Sequence, residues 1–85
     1  QLERLNLQQS LQAVIDLFAM NHETNIVFHP VAQPVWVLGD KTQMNRLFTN
    51  LIRNAIESVP AGNTPTIDVR LHTDAQNITV SVKDN

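Results

Sequence analysis

The stretch from residue 40 to residue 59 decides how this chain folds, and it reads DKTQMNRLFTNLIRNAIESV. Its apolar side chains recur at steps of three and four, the spacing of an amphipathic helix that packs one face against a core. Asp40 is expected to cap the start of this helix, with Gln43 completing a capping-box pattern. Pro60 and Gly62 end it. We therefore predict a helix over residues 40–59, with an apolar face formed by Met44, Leu47, Phe48, Leu51, Ile52, Ala55, Ile56 and Val59.

Two asparagines, Asn50 and Asn54, lie one turn apart on the polar side of this predicted helix. Asparagine is a poor residue inside a helix because its side chain competes for backbone hydrogen bonds, so the pair suggests a role other than helix building. Amide oxygens are hard, neutral ligands that suit Mg²⁺, especially where a nucleotide supplies most of the other ligands. The ordinary alternative is a solvated helix face, and the two asparagines alone favour that alternative.

Upstream of residue 40, the apolar residues from Leu7 to Phe18 keep helical spacing and predict a first helix of about three turns. Asn6 or Ser10 is available as its cap, and Asn21 stands near its end.

Short runs of β-branched and aromatic residues predict strands at 25–29 and 35–38. Trp36, in the second of these strands, is expected to pack in the core. Alternation of apolar and polar side chains predicts a hairpin of strands 66–73 and 78–83 with one buried face. The order of elements predicts an α+β fold, in which the helices pack on one face of a mostly antiparallel, mixed sheet.

Asp84 follows the last predicted strand and shares the side-chain parity of Val80 and Val82. If the strand runs that far, the carboxylate points to the face covered by the helices. It then either caps the strand end against water or accepts a hydrogen bond from something bound between sheet and helix. An aspartate in a turn at a strand end is the commoner arrangement. Taken together, Asn54 and Asp84 predict a cleft with two ends. Asn54 would lie at the end that binds metal and phosphate, and Asp84 at the end that recognises the base.

Composition excludes several classes of protein. The 85 residues include no cysteine, so neither a disulfide framework nor a thiolate zinc site is possible within them. The net charge is −2 and there is no cluster of basic residues, which argues against a nucleic-acid partner. Because no apolar run is long enough to cross a bilayer, we expect a cytoplasmic domain, with an inner-membrane anchor left open for a longer parent protein.

Three segments together match the pattern of one protein family: Gly39-Asp40 before the apolar stripe, Asn50-Leu51-Ile52-Arg53-Asn54-Ala55-Ile56, and Val82-Lys83-Asp84-Asn85. They resemble the ATP-binding catalytic domain of bacterial two-component sensor histidine kinases, which has the Bergerat fold. The resemblance implies that Asn54 ligates Mg²⁺ and that Asn50 supports the phosphate and metal end. It also implies that Asp84 accepts a hydrogen bond from the adenine amino group of ATP.

Relatives of this fold that hydrolyse ATP carry Glu at the position of Asn50 to activate water. A neutral amide cannot take a proton from water near pH 7, so transfer of phosphate to a histidine, itself the nucleophile, fits this chain better than hydrolysis. Many of the kinases have Lys then Tyr where this chain has Glu57-Ser58, as in members of the nitrogen-regulatory kind.

The resemblance covers the N-terminal part of such a domain. We interpret residues 1–85 as a single partial ATP-binding domain, with 1–6 as a linker or a short first strand, and with the lid and the Gly-rich C-terminal part absent. These residues alone are therefore expected to bind nucleotide weakly and to have no kinase activity. The expected partners are ATP, a dimerisation and phosphoacceptor domain of the same kinase and, through that domain, a response regulator. Direct membrane contact is not expected.

The alternative is a non-catalytic interaction or regulatory module that keeps the fold with a degenerate nucleotide site. Convergence of Asn50, Asn54 and Asp84 on one cleft would favour the kinase, and failure to converge would favour the module. The pair His22-Glu23 has the pattern of a phosphoacceptor, but it is predicted to lie between a helix and a strand, so we interpret it as incidental.

Overall fold

A computed structural model describes residues 2–21 and 24–84, and the chain forms two helices and five strands within them. The pair His22-Glu23 lies outside the described residues. Neither helix in this part of the chain has the length and hydropathy that a membrane crossing requires. In chain order the elements are β1 (Glu3–Asn6), α1 (Leu7–Asn21), β2 (Asn25–His29), β3 (Trp36–Gly39), α2 (Lys41–Glu57), β4 (Thr66–Thr73) and β5 (Ile78–Lys83).

Helix α2 forms where the sequence predicts it, and its ends follow the predicted signals. The Asp40 side chain accepts a hydrogen bond from the backbone N–H of Gln43 at 3.0 Å. This bond favours the ionised carboxylate and is the main reason that the pKa of Asp40 is lowered. At the other end, Ser58 is the C-cap residue, two residues before Pro60. In the turn that follows, Gly62 adopts a φ of 90°, which glycine reaches without steric cost, and the N–H of Asn63 donates to the Pro60 carbonyl at 3.2 Å.

Helix α1 begins directly after β1, and the structure decides between its two candidate caps. The Asn6 side chain accepts a hydrogen bond from the N–H of Gln9 at 3.2 Å, so Asn6 caps the helix. The N–H of Leu7 donates to the Val35 carbonyl at 2.8 Å and fixes the helix start beside the chain that enters β3. The helix runs to Asn21, longer than the three turns predicted.

The strands pair in two sheets. β1 pairs antiparallel with β3, and a second sheet has the order β2-β4-β5. Within it β4 and β5 form the predicted antiparallel hairpin, whereas β2 runs parallel to β4. Parallel strands need a long crossover between them, and here α2 lies in that crossover. The α+β prediction with a mixed sheet is confirmed, and the division into two sheets is added by the structure.

The core lies between the two helices and the inner face of the second sheet. Leu11 of α1, Ile52 of α2, and Ile67 and Val69 of β4 are fully buried, with 0% exposure each. The alternation along β4 places its apolar side chains on this face, as predicted. Both helices are therefore held against one side of the sheet.

The outer face of the second sheet is polar. Arg70 Nε donates to Asp68 Oδ1 at 2.9 Å, and His29 Nε2 lies 3.1 Å from Asp68 Oδ2. The Arg70 hydrogen bond, followed by that of His29, lowers the pKa of Asp68 below the ordinary aspartate value. Because all three side chains are partly or largely exposed, this cluster adds little to stability.

Trp36 does not pack in the core, so the prediction for this residue is wrong. Its side chain is 49% exposed, and the Arg4 guanidinium lies 4.5 Å from the ring centroid. Along β3 the inward positions belong to buried Val35, just before the strand, and half-buried Val37. Strand parity therefore turns Trp36 outward, where Arg4 covers one face of the ring by a cation–π contact.

Candidate functional site

An open cleft of about 750 Å³ runs between α2 and β5, which is an edge strand of the second sheet. It has an apolar wall made from both elements and polar groups toward the ends of both. Asn54 and Asp84, far apart in the sequence, contribute side chains to it. The lining residues are Leu51, Asn54, Ala55, Val80, Val82, Lys83 and Asp84.

Helix packing places Asn54 in this cleft. Ile52 and Phe48 are buried and hold the inner face of α2 against the sheet. Leu51 and Asn54 lie next to that face, where the helix meets β5. The Asn54 side chain is exposed, so its amide is accessible to a molecule that enters the cleft.

Asp84 comes one residue after the end of β5 and faces the end of α2. Its Oδ2 accepts a hydrogen bond from the Ser58 hydroxyl. The orientation predicted from strand parity is the one found, toward the helix. Of the two partners considered from the sequence, water or a bound group, the structure instead supplies a third, a side chain of the protein.

Asn50 lies on α2 one turn before Asn54, and its side chain is exposed. It is not among the residues that line the cleft in the described part of the chain. The structure therefore brings together two of the three predicted residues, Asn54 and Asp84, and places the third beside their cleft.

Two polar residues of the site were missed by the sequence analysis. Ser58 stands four residues after Asn54, so the same helical spacing that pairs Asn50 with Asn54 could have found it. Lys83 has the strand parity opposite to Val82 and Asp84, so alternation predicts that it points away. It nevertheless lines the cleft as the last residue of β5, although it is still paired with Asp68 of β4.

Comparison with known proteins gives one related sequence and several related structures. No protein-family model matches the chain. Sporulation kinase A of Bacillus subtilis is 33% identical over an alignment that covers 96% of this chain and 14% of that protein. The nucleotide-free catalytic domain of the histidine kinase ThkA superposes with a TM-score of 0.82 at 24% identity, covering 96% of this chain and 56% of that one. The fold is that of a histidine kinase catalytic domain.

A second solved structure supports the same assignment. The mycobacterial sensor histidine kinase MprB superposes with a TM-score of 0.77 at 18% identity, over 96% of this chain and 54% of that one. The resemblance drawn from the asparagine pair and the hairpin end is thereby confirmed: the sequence relative is a kinase, and the structural neighbours are histidine kinases. The chain spans 14% of the curated relative and just over half of each solved neighbour.

The cleft of this histidine kinase fold has the dimensions and chemistry for a nucleotide. Its volume lies within the range of about 300 to 1,000 Å³ that is usual for small-molecule sites. Leu51, Val80 and Val82 offer an apolar wall for a base, and Asn54 offers a neutral amide oxygen of the kind that Mg²⁺ accepts. Lys83 is the one cationic side chain among the described lining residues. The residues present thus fit a magnesium–nucleotide complex.

Proposed function

We propose that this chain binds Mg-ATP in the cleft between α2 and β5, as the ATP-binding part of a sensor histidine kinase. The observation that carries the proposal is the convergence of Asn54 and Asp84 on one cleft. A shared fold alone does not imply function, and this pairing of an amide with a carboxylate is a property of the site. The amide suits the metal that accompanies the phosphates of a nucleotide, and the carboxylate suits the base.

Each of the three residues has a distinct part in this proposal. Asn54 would hold Mg²⁺ through its amide oxygen, and Asp84 would accept a hydrogen bond from the adenine amino group. Asn50, exposed one turn away from Asn54, would support the phosphate and metal end from outside the cleft lining. When bound, Mg²⁺ would neutralise charge that develops on the phosphate oxygens during phosphoryl transfer.

The reaction we assign is transfer of the γ-phosphoryl group to a histidine. The bond from the γ-phosphorus to the oxygen that bridges to the β-phosphate breaks, an imidazole nitrogen forms the new bond, and ADP leaves. Such a transfer needs positioning and charge stabilisation rather than a base that activates water. Asn50 is neutral and cannot act as that base, which favours transfer over hydrolysis.

The acceptor histidine would belong to a dimerisation and phosphoacceptor domain of the same kinase, which would pass the phosphoryl group to a response regulator. We propose that residues 1–85 are the N-terminal part of the ATP-binding domain and that the lid and glycine-rich segments follow in the parent protein. The domain would work in the cytoplasm, whether or not the parent protein is anchored in the inner membrane.

One observation favours the second candidate function, a regulatory module with a degenerate nucleotide site. Asn50 does not line the cleft with Asn54 and Asp84, so the three residues do not fully converge. A module of this kind would keep the fold and bind a protein surface instead of a nucleotide. Nucleotide binding separates the two candidates.

Isothermal titration with ADP, with and without Mg²⁺, tests the proposal on the natural protein that contains this chain. We expect Mg²⁺ to strengthen ADP binding and Asn54→Ala to remove that gain, a loss on the order of tenfold to a hundredfold. Asn45→Ala is the matched control, because Asn45 lies on the same helix but lines a different groove, beside Arg4 and Trp36.

Two results would count against the proposal. An Asn54→Ala protein that keeps the full Mg²⁺ effect would remove the metal role of Asn54. A natural protein that binds no ADP under either condition would favour the regulatory module.

A further inference from the structure

Ser58 occupies the point where the end of α2 meets the end of β5. It is the C-cap residue of the helix, and its backbone N–H donates to the Asn54 carbonyl at 3.1 Å. Its hydroxyl lies 2.9 Å from the Ala55 carbonyl and also donates to Asp84 Oδ2. One residue thus contacts the backbone of the proposed metal ligand and the carboxylate of the proposed base-reading residue.

The hydroxyl has a single proton and two acceptors within reach. The bond to the carboxylate is the stronger of the two, because hydrogen bonds to a charged acceptor are roughly twice as strong as those to a neutral carbonyl. A carboxylate offers two oxygens with several lone pairs. With Oδ2 bonded to Ser58, Oδ1 remains as a second acceptor on a carboxylate that lines the cleft.

Asp84 needs such support because of where it lies. It is exposed and stands just past the last residue of β5, where ladder hydrogen bonds no longer restrain the chain. A carboxylate that is already oriented loses less conformational freedom when a ligand binds. From these contacts we propose that Ser58 is a positioning residue that orients Asp84 to recognise an amino group on the purine base, an inference that rests on the proposed function.

The chemistry of the oriented carboxylate sets the ligand preference. An amino group at position 6 of a purine donates to a carboxylate oxygen, whereas a carbonyl at the same position presents lone pairs to it. Sites built to hydrogen-bond a polar group discriminate strongly against an analogue that lacks it, because their own polar atoms are left unpaired. Adenine nucleotides should therefore bind more tightly than hypoxanthine nucleotides, and Ser58 contributes to the ratio of the two affinities.

Titrations of the natural protein with ADP and with inosine diphosphate, in the presence of Mg²⁺, test the role of Ser58. Ser58→Ala should weaken ADP binding about fivefold, the effect of one lost hydrogen bond, and leave inosine diphosphate binding within about twofold. Ser58→Thr keeps the hydroxyl and should therefore keep the preference for ADP over inosine diphosphate. Ser81→Ala is the matched control, because Ser81 lies on β5 opposite Arg70 and does not line the cleft.

The variant Asp84→Ala distinguishes a failure of the role inferred for Ser58 from a failure of the proposed function. We expect it to abolish the preference for ADP over inosine diphosphate. If Asp84→Ala does so while Ser58→Ala leaves the ratio unchanged, the positioning role of Ser58 is overturned and the proposed function stands. If the unaltered protein binds neither nucleotide, both fail. Thermal midpoints of the variants check that a loss at Ser58 does not come from an unfolded helix end.

Discussion

At the scale of single residues, strand parity located Asp84, whereas a prediction made without parity misplaced Trp36. For Asp84 the deciding evidence was strand parity, and parity also decides the direction of Trp36 in the structure. For Trp36 we instead weighed the size and hydrophobicity of the ring. Hydrophobicity gives the cost of exposure but not the direction of a side chain, and here the Arg4 guanidinium over the ring lowers that cost.

The fluorescence of Trp36, the single tryptophan of these 85 residues, checks this correction. In the folded chain, with folding verified by circular dichroism, we expect acrylamide to quench the emission readily, because the side chain is 49% exposed. Arg4→Ala should increase the quenching by uncovering the ring, whereas Arg70→Ala, on the other sheet, should not. A blue-shifted emission protected from acrylamide in the folded chain would place Trp36 back in the core.

At the scale of elements, local signals predicted α2 and the hairpin almost to the residue. These elements are specified by side chains near in sequence: the Asp40 cap for the helix, and Asp74 for the hairpin turn, where its Oδ1 accepts from the N–H of Gln76 at 2.9 Å and of Asn77 at 2.8 Å. The partner of β2 could not be predicted in this way. Parallel pairing of β2 with β4 depends on the path of the chain through α2, and no residue in β2 indicates which strand will be its partner.

The Asp40 cap predicts a specific dependence of stability on pH. The pKa of Asp40 is lower in the folded chain than its ordinary value of 3.8, mainly through the Gln43 N–H bond. Its ionised form therefore stabilises the fold fully above that value, and the contribution is lost as pH falls through the lowered folded-state pKa. Asp40→Ala should reduce the thermal midpoint at neutral pH, since it removes the acceptor for the first turn.

Asp40→Asn is the matched control for this prediction. It keeps an acceptor at the cap but does not titrate, so its midpoint relative to the unaltered chain should rise as the pH falls below 3.8. If the two proteins differ in thermal midpoint by the same amount at neutral and at acid pH, ionisation of Asp40 does not stabilise the helix.

At the scale of the whole molecule, the core joins elements that are distant in sequence through a few fully buried side chains. Ile52 of α2 is 0% exposed and packs in one cluster with residues of α1 and β4. Truncation to Ala should lower the free energy of unfolding by about 2–5 kcal/mol, through lost burial and the cavity left behind. That is a large part of the stability of a small domain.

Denaturant unfolding measures this effect, with Leu38→Ala as the control. Leu38 is also a large aliphatic residue but is 71% exposed, so its truncation should change stability by no more than about 0.5 kcal/mol. Equal losses for the two variants would mean that the core does not lie between α2 and β4.

The candidate site was predictable in part because side-chain direction follows simple periods, 3.6 residues along α2 and two residues along β5. These periods located Asn54 and Asp84, whereas alternation points Lys83, the last residue of β5, away from the cleft that it lines. The placement of Asn50 outside the cleft depends on how α2 is rotated against β5, which is set by core packing and not by any local signal.

Hydrogen–deuterium exchange of the natural protein with and without Mg-ADP tests the central claim most directly. Within the 85 residues of this chain, we predict protection confined to two segments, the C-terminal half of α2 around Asn54 and the end of β5 around Asp84, and its loss when Mg²⁺ is removed or Asn54 is changed to Ala. Protection in other segments only, or none at saturating Mg-ADP, would contradict a nucleotide site between α2 and β5.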